Sequence, residues 1–249
     1  MRRPRLSLRG GRADSGGVSV NELVLVQGMS DTKETLAEWN RRPWPVFRTW
    51  LFWSVVTAVG LLCAVYVVAK LSRPDPTPLV LPGVNRDPAF GDAQHVFYRN
   101  LLVLALHSMA CVAGFMAGST LPQQAAMRNG FSRWIHEKAG RFAIAFVIGA
   151  TTFSLSTQAY VLGHAASTLS AHLGIGVAKL LLALSIHAVP ELTALFLPLA
   201  AWVVASRRDD WHKLLAATIV TTAISLPVLM ISCLVEVYVT PHVILALAR

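Results

Sequence analysis

Charge is what this sequence has least of. Only 14% of its residues are Asp, Glu, Lys or Arg, against about a quarter in an ordinary soluble domain. Acidic residues are the scarcer sign, 13 against 22 Lys and Arg. The net charge of +9 still argues against nucleic acid as a partner, because the basic residues flank long apolar runs, where they set membrane orientation, and do not line one face. Cysteine is scarce too. Cys63, Cys111 and Cys233 each fall inside an apolar run at irregular spacing, which signals neither a disulfide framework nor a CxxC metal site. No Walker A sequence occurs, so any use of ATP falls to a separate subunit. The chain also has no HExxH, and no GxSxG surrounds Ser185 or Ser232, so the familiar zinc-protease and serine-hydrolase signatures are missing.

What is present is apolar length. A helix needs about 20 mostly apolar residues to cross roughly 30 Å of hydrocarbon. Runs at about 47–69, 97–119, 141–163, 174–205 and 212–239 reach or approach that length. The expected fold is therefore all-α, a polytopic membrane bundle of about five spans held in a lipid bilayer. Residues 1–46 are expected to form a basic disordered tail (1–28) and a short cytoplasmic helix (30–40), and residues 47–249 a single transmembrane domain. Met29 is a second candidate start, because Asp31 and Glu34 behind it have capping-box-like spacing. Trp44, Trp50 and Trp53 mark the interface of the first span. Five prolines between Pro74 and Pro88, with Asp75, Asp87 and Asp92, predict a loop. A basic connector at 121–140 is expected to lie on the membrane surface.

Orientation follows the Lys and Arg bias. Arg41, Arg42 and Arg48 precede the first span, Arg128, Arg133, Lys138 and Arg141 fill the second connection, and Arg207, Arg208 and Lys213 fill the fourth. With five spans these regions share one side, which puts the N-terminus inside and the C-terminus outside; Arg73 and Arg86 are exceptions on the other side. Gly114 with Gly118, and Ala145 with Gly149, have the small-xxx-small spacing of close helix packing, within the bundle or between copies.

An ionisable side chain inside a span costs roughly 2.5–3.5 kcal/mol on insertion scales and marks a functional hypothesis by default. His187 and Glu191 are four residues apart on one helical face, with Pro190 between them. The prolines at 190 and 198 leave two readings of the fourth run: one kinked helix, or two half-helices with free amides near Pro190. At 1.5 Å per residue, Glu236 lies about 34 Å along from Lys213, and Glu191 about 24 Å from Arg207. Both then belong to the outer half. Asn100 and His107 on the second span, Gln158 on the third and Lys179 at the start of the fourth add polar groups at or near that level. His107 reads either as a helix–helix hydrogen-bonder or as a ligand, and Glu236 and His164 as site residues or as solvated interface residues.

Several of these residues carry a resemblance. His187-Ala188-Val189-Pro190-Glu191-Leu192 resembles the PHG-hydrophobic-hydrophobic-E-L signature of the stage II sporulation protein M family. Leu234-Val235-Glu236-Val237-Tyr238-Val239-Thr240-Pro241 is similar to its closing I-E-A-F-hydrophobic-T-P. Phe97-Tyr98-Arg99-Asn100-Leu101 and Gln158-Ala159-Tyr160-Val161-Leu162-Gly163 are similar to two further elements, and together they cover about residues 97–242. Ile186, Ala188, Arg99 and Gln158-Ala159 depart from the family pattern. The resemblance implies a multi-pass membrane protein working with partner proteins; one family member remodels peptidoglycan within a sporulation complex, and others are encoded beside transport components or circular-bacteriocin genes.

Two functions fit these residues. One is a non-enzymatic membrane component of peptide export or envelope remodelling, with membrane or transporter partner proteins, a peptide as substrate, and the polar residues as a lock or a path. The other is a membrane-embedded metal-dependent peptidase or peptide cyclase. In that case His187, Glu191, Glu236 and His107 would be the ligands of a divalent metal such as zinc, with Glu191 or Glu236 as the catalytic carboxylate.

Overall fold

The computed structural model describes residues 20–77, 80–120 and 130–248. They form α1 (Val20–Arg41), α2 (Trp44–Leu71), α3 (Phe90–Phe115), α4 (Gly130–Leu173), α5 (Val177–Arg208), α6 (Leu214–Leu234) and α7 (Thr240–Ala248). A π turn over Met116–Thr120 extends α3, and a second over Val235–Val239 joins α6 to α7. Five stretches are long and apolar enough to cross a membrane: Trp44–Leu71, Phe90–Gly118, Ile144–Leu173, Val177–Arg208 and Trp211–Ala248. The protein is a polytopic helical bundle.

Three expected boundaries move. The first helix starts at Val20, ahead of the expected short helix at 30–40, so residues 20–28 are helical; residues 1–19 lie outside the described residues. The basic connector is not a separate surface segment from Gly130 onward, because α4 begins there and runs unbroken into the third span; residues 121–129 lie outside the described residues. The fourth run is one continuous helix containing both Pro190 and Pro198, so no half-helix amides open near Pro190. A proline removes one backbone donor and frees one carbonyl four residues back, which a long helix tolerates when a neighbour satisfies that carbonyl.

Helix α5 is the hub. It packs on α2, α6 and α3, and half of its apolar window is buried, the largest share of the five. Leu192, Leu195, Phe196 and Leu199 meet Ala58, Leu61 and Val65 of α2, Leu104 of α3 and Leu229 of α6 in the main core. Helix α1 lays Trp39 edge-to-face on Trp50, centroids 5.1 Å apart, and both rest on Leu197, Ala200, Ala201 and Val204. Thr32, Thr35 and Trp39 are its buried residues on one side, at the spacing of a single helical face. Helix α4 packs chiefly on α2, and only 11% of its apolar window is buried.

The glycine pairs behave differently from each other. A Cβ at Gly114 would stand 2.5 Å from Trp202 Nε1, and one at Gly118 would overlap the Trp211 ring, so this pair seats two tryptophans inside the bundle. A Cβ at Gly149 would meet nothing within 4 Å.

Candidate functional site

Helix α5 sits between α3, running beside it in the same direction, and α6, running against it. Side-chain bonds fix both registers. On the α3 side, His107 Nδ1 lies 2.7 Å from the Leu195 carbonyl and Cys111 Sγ donates to the Pro198 carbonyl at 3.1 Å. On the other side, Ser225 Oγ of α6 donates to the Ala194 carbonyl at 2.6 Å, and His187 Nδ1 lies 2.8 Å from Thr240 Oγ1 of α7. Ala194 is the residue whose carbonyl Pro198 deprives of its helical donor. The break in the helical ladder at Pro198 is thus stitched to α6 by Ser225, and the Leu195 and Pro198 carbonyls are tied to α3 by His107 and Cys111.

These bonds assign His107. A carbonyl only accepts, so Nδ1 carries the hydrogen and the ring serves helix packing. Its partner Leu195 is eight residues along α5 from His187, a rise of about 12 Å. The four expected metal ligands are therefore divided between two levels. Among the described residues, no three His, Cys, Asp or Glu side chains are grouped so as to hold a metal.

What does come together is smaller. One turn inward from His187 and Thr240, Glu191 of α5 and Glu236 of the π turn lie close enough for their charges to interact, and Arg99 of α3 is within electrostatic range of both. Asn100 of α3, 5% exposed, faces Glu191. Asn100 Nδ2 and Glu191 Oε2 are both buried without a hydrogen-bond partner in the chain. Native interiors contain few such atoms, and each calls for an explanation. Glu236 sits in a π turn, a distortion frequent at functional sites.

The other expected residues stand apart. Gln158 donates to Ser154 on its own helix at 3.1 Å, and α4 has its main packing on α2. Lys179 is exposed, twelve residues and about 18 Å of rise from Glu191. His164 is exposed beside the Asp75 loop. The site is built by three of the five spans.

Two loop segments finish this end of the bundle. Gly83, at φ +77°, seats on α7: a Cβ there would lie 2.6 Å from Pro241 Cγ and 3.3 Å from the Val237 carbonyl. Only glycine fits both the positive φ and the close approach. The turn over 81–86 therefore rests directly above the Glu236 turn. Farther along, residues 72–77 clasp α4. Ser167 donates to the Ser72 carbonyl at 3.1 Å, the Asp75 amide donates to Thr168 Oγ1 at 3.1 Å, and His172 Nε2 donates to the Asp75 carbonyl at 3.0 Å. Hydrogen bonds from the Thr77 hydroxyl and amide hold the Asp75 carboxyl below its ordinary range.

Sequence reasoning found Asn100, His187, Glu191 and Glu236. It missed Ser225 and the Gly83 seat, and it named Thr240 only as part of the closing motif, without a role. The one available signal was Pro198 itself, which requires a donor for Ala194 without saying from where.

No family model, curated protein or solved structure matches this chain.

Proposed function

We propose that this multi-pass membrane protein works with partner proteins in peptide export or cell-envelope remodelling, and that the Glu191–Glu236 pair is its working site. The observation that carries this reading is the pair itself: two carboxylates on different spans, at one level, beside buried polar atoms that the chain leaves unpartnered. A purely structural lock would satisfy its own members, as the bonds around Pro198 do, because a half-satisfied buried network costs stability. The stage II sporulation protein M resemblance, strongest around Glu236, supplies the export or envelope context. The basic ends of the spans support an N-terminus inside and a C-terminus outside a bacterial plasma membrane.

The test is complementation in the native host with Glu191→Gln and Glu236→Gln, both near-isosteric. Loss of the export or envelope phenotype at normal protein levels is the expected result, and full activity of both variants overturns the reading. Metal analysis of the same proteins addresses the peptidase alternative: stoichiometric zinc in the wild type, lost from both variants, would replace the export component with a metalloenzyme. A reporter fused after Arg249 should read as extracytoplasmic, and a cytoplasmic reading would refute the orientation.

A further inference from the structure

The chemistry of the unpartnered atoms limits what this site can take. The donor set at the level of Glu191 is hard oxygen: the Glu191 carboxylate, the Glu236 carboxylate, and the amide of Asn100. Cys233, nearby on α6, donates its thiol to the Met230 carbonyl at 3.0 Å. His187 is engaged with Thr240 one turn away. The Cys233 thiol lies within electrostatic range of both carboxylates but is spent on a carbonyl, and the His187 imidazole is spent on Thr240. Hard oxygen donors suit alkali and alkaline-earth cations and suit zinc poorly.

Charge and space narrow the choice. The two carboxylates face the single guanidinium of Arg99, which is itself exposed. With both carboxylates ionised, one negative charge is left over in surroundings where unbalanced charge is costly. A divalent cation would exceed that single charge, and magnesium in addition demands a near-ideal octahedron and keeps several waters. A large organic ammonium is disfavoured by the cover. Asn100 and His187 are 5% and 7% exposed, and the Gly83 turn rests on Pro241 and the Val237 carbonyl directly above.

We propose that Glu191, Glu236 and Asn100 form a binding site for one monovalent alkali cation within the membrane. Glu191 Oε2 supplies an oxygen whose nearest donor, the Asn100 amide, stands short of a formed hydrogen bond. The Asn100 amide, whose Nδ2 has no acceptor in the chain, presents Oδ1 to the cation when it turns over, a rotation that exchanges donor for acceptor. Glu236 supplies the second carboxylate, and Arg99 remains at the rim as a fixed positive charge that leaves room for one further unit charge. The proposal rests on the Glu191–Glu236 pair being the working site, and it adds the ligand.

The experiment is thermal unfolding of the purified full-length protein in detergent, in sodium, potassium or choline chloride at equal ionic strength, with radiosodium binding alongside. A ligand that binds only the folded state raises the midpoint by an amount that grows with the logarithm of its concentration. A saturable rise of several degrees in sodium or potassium over choline, absent from Glu191→Gln and Glu236→Gln and reduced in Asn100→Ala, is expected. Asn100→Asp, which adds an oxygen and a charge, should retain binding. Equal midpoints of the wild type in all three salts, with no radiosodium bound, overturn the proposal. So does stabilisation by acid alone, identical in choline, which would make the ligand a proton, and so does stabilisation by a divalent ion only. Because the wild type alone decides these outcomes, a variant that fails to fold cannot mask them. They are also separable from the complementation result: loss of phenotype without cation binding leaves the working pair standing and removes only its ligand.

Discussion

Helix α5 carries two prolines eight residues apart, and their surroundings differ in kind. Around Pro198 the carbonyls are covered: Ser225 serves the freed Ala194 carbonyl, His107 serves Leu195 and Cys111 serves Pro198, and the one buried orphan within a turn is the Trp202 indole Nε1. Around Pro190 the chain leaves Glu191 Oε2, Thr193 Oγ1 and Asn100 Nδ2 buried and unpartnered. The same helix thus shows one kink closed for stability and one left chemically open. Inside a membrane water cannot compensate an orphaned group, so the open kink gives up stability that the closed one keeps.

The sharpest way to break the contrast is to open the closed kink. Ser225→Ala leaves the Ala194 carbonyl without its donor in a fully buried position, and a buried orphan costs about 1–3 kcal/mol. Ser225→Ala and His107→Leu should each lower the unfolding midpoint in detergent, and the pair together should lower it most. Gly114→Ala, next in size or equal to these, drives a Cβ to 2.5 Å from Trp202 Nε1 and should cost about 1–3 kcal/mol of overpacking, read in the same melts. The converse test is made at Pro190: Glu191→Gln should change the midpoint less than Ser225→Ala while abolishing function. If the two residues exchange these effects, the division between the kinks is wrong.

Smaller effects sharpen the edges. The Asp75 carboxylate holds the Thr77 turn next to the clasp, and hydrogen bonds from Thr77 lower its pKa, so the turn's contribution is complete above the ordinary carboxyl range and is lost as pH falls through the lowered value. A spin label at Pro76 should gain mobility on that acid side and show none of the change in Asp75→Ala. Gly149→Ala should be the mildest change, neutral or stabilising by about 0.5–1 kcal/mol, since it raises helix propensity where nothing stands within 4 Å.

Much of this architecture was legible in the sequence, for identifiable reasons. Apolar length found the five spans because the hydrocarbon core fixes how many residues must cross it. Helical rise brought Glu191 and Glu236 to one level because depth is counted along each helix. Rise does not say which helix neighbours which. Gln158 has a suitable depth but stands on α4, which packs on α2, and so it misses the cluster. Nor does composition reveal partners as ordinary as Ser225 and Thr240, whose roles exist only once α5 and its neighbours are in register. Of the two readings of the fourth run, the single helix is the one found, because one missing donor does not end a helix that is packed on three sides.

The π turn at Val235–Val239 has a consequence for the phase of the last span. Each residue of an α-helix turns the chain by about 100°, and a π turn spreads its rotation over more residues, so side chains on either side of it do not share one helical wheel. Ser225 and Leu229 answer to one face, while Thr240, Pro241 and Ile244 answer to another. Rewinding residues 235–239 as an ordinary helix without removing a residue would swing everything beyond them by about 100°. Thr240 would leave His187, and Pro241 would leave Gly83. The last two turns of this protein are therefore keyed by a surplus of backbone, and removing that one residue together with the π turn would leave Thr240 and Pro241 on the faces they now occupy.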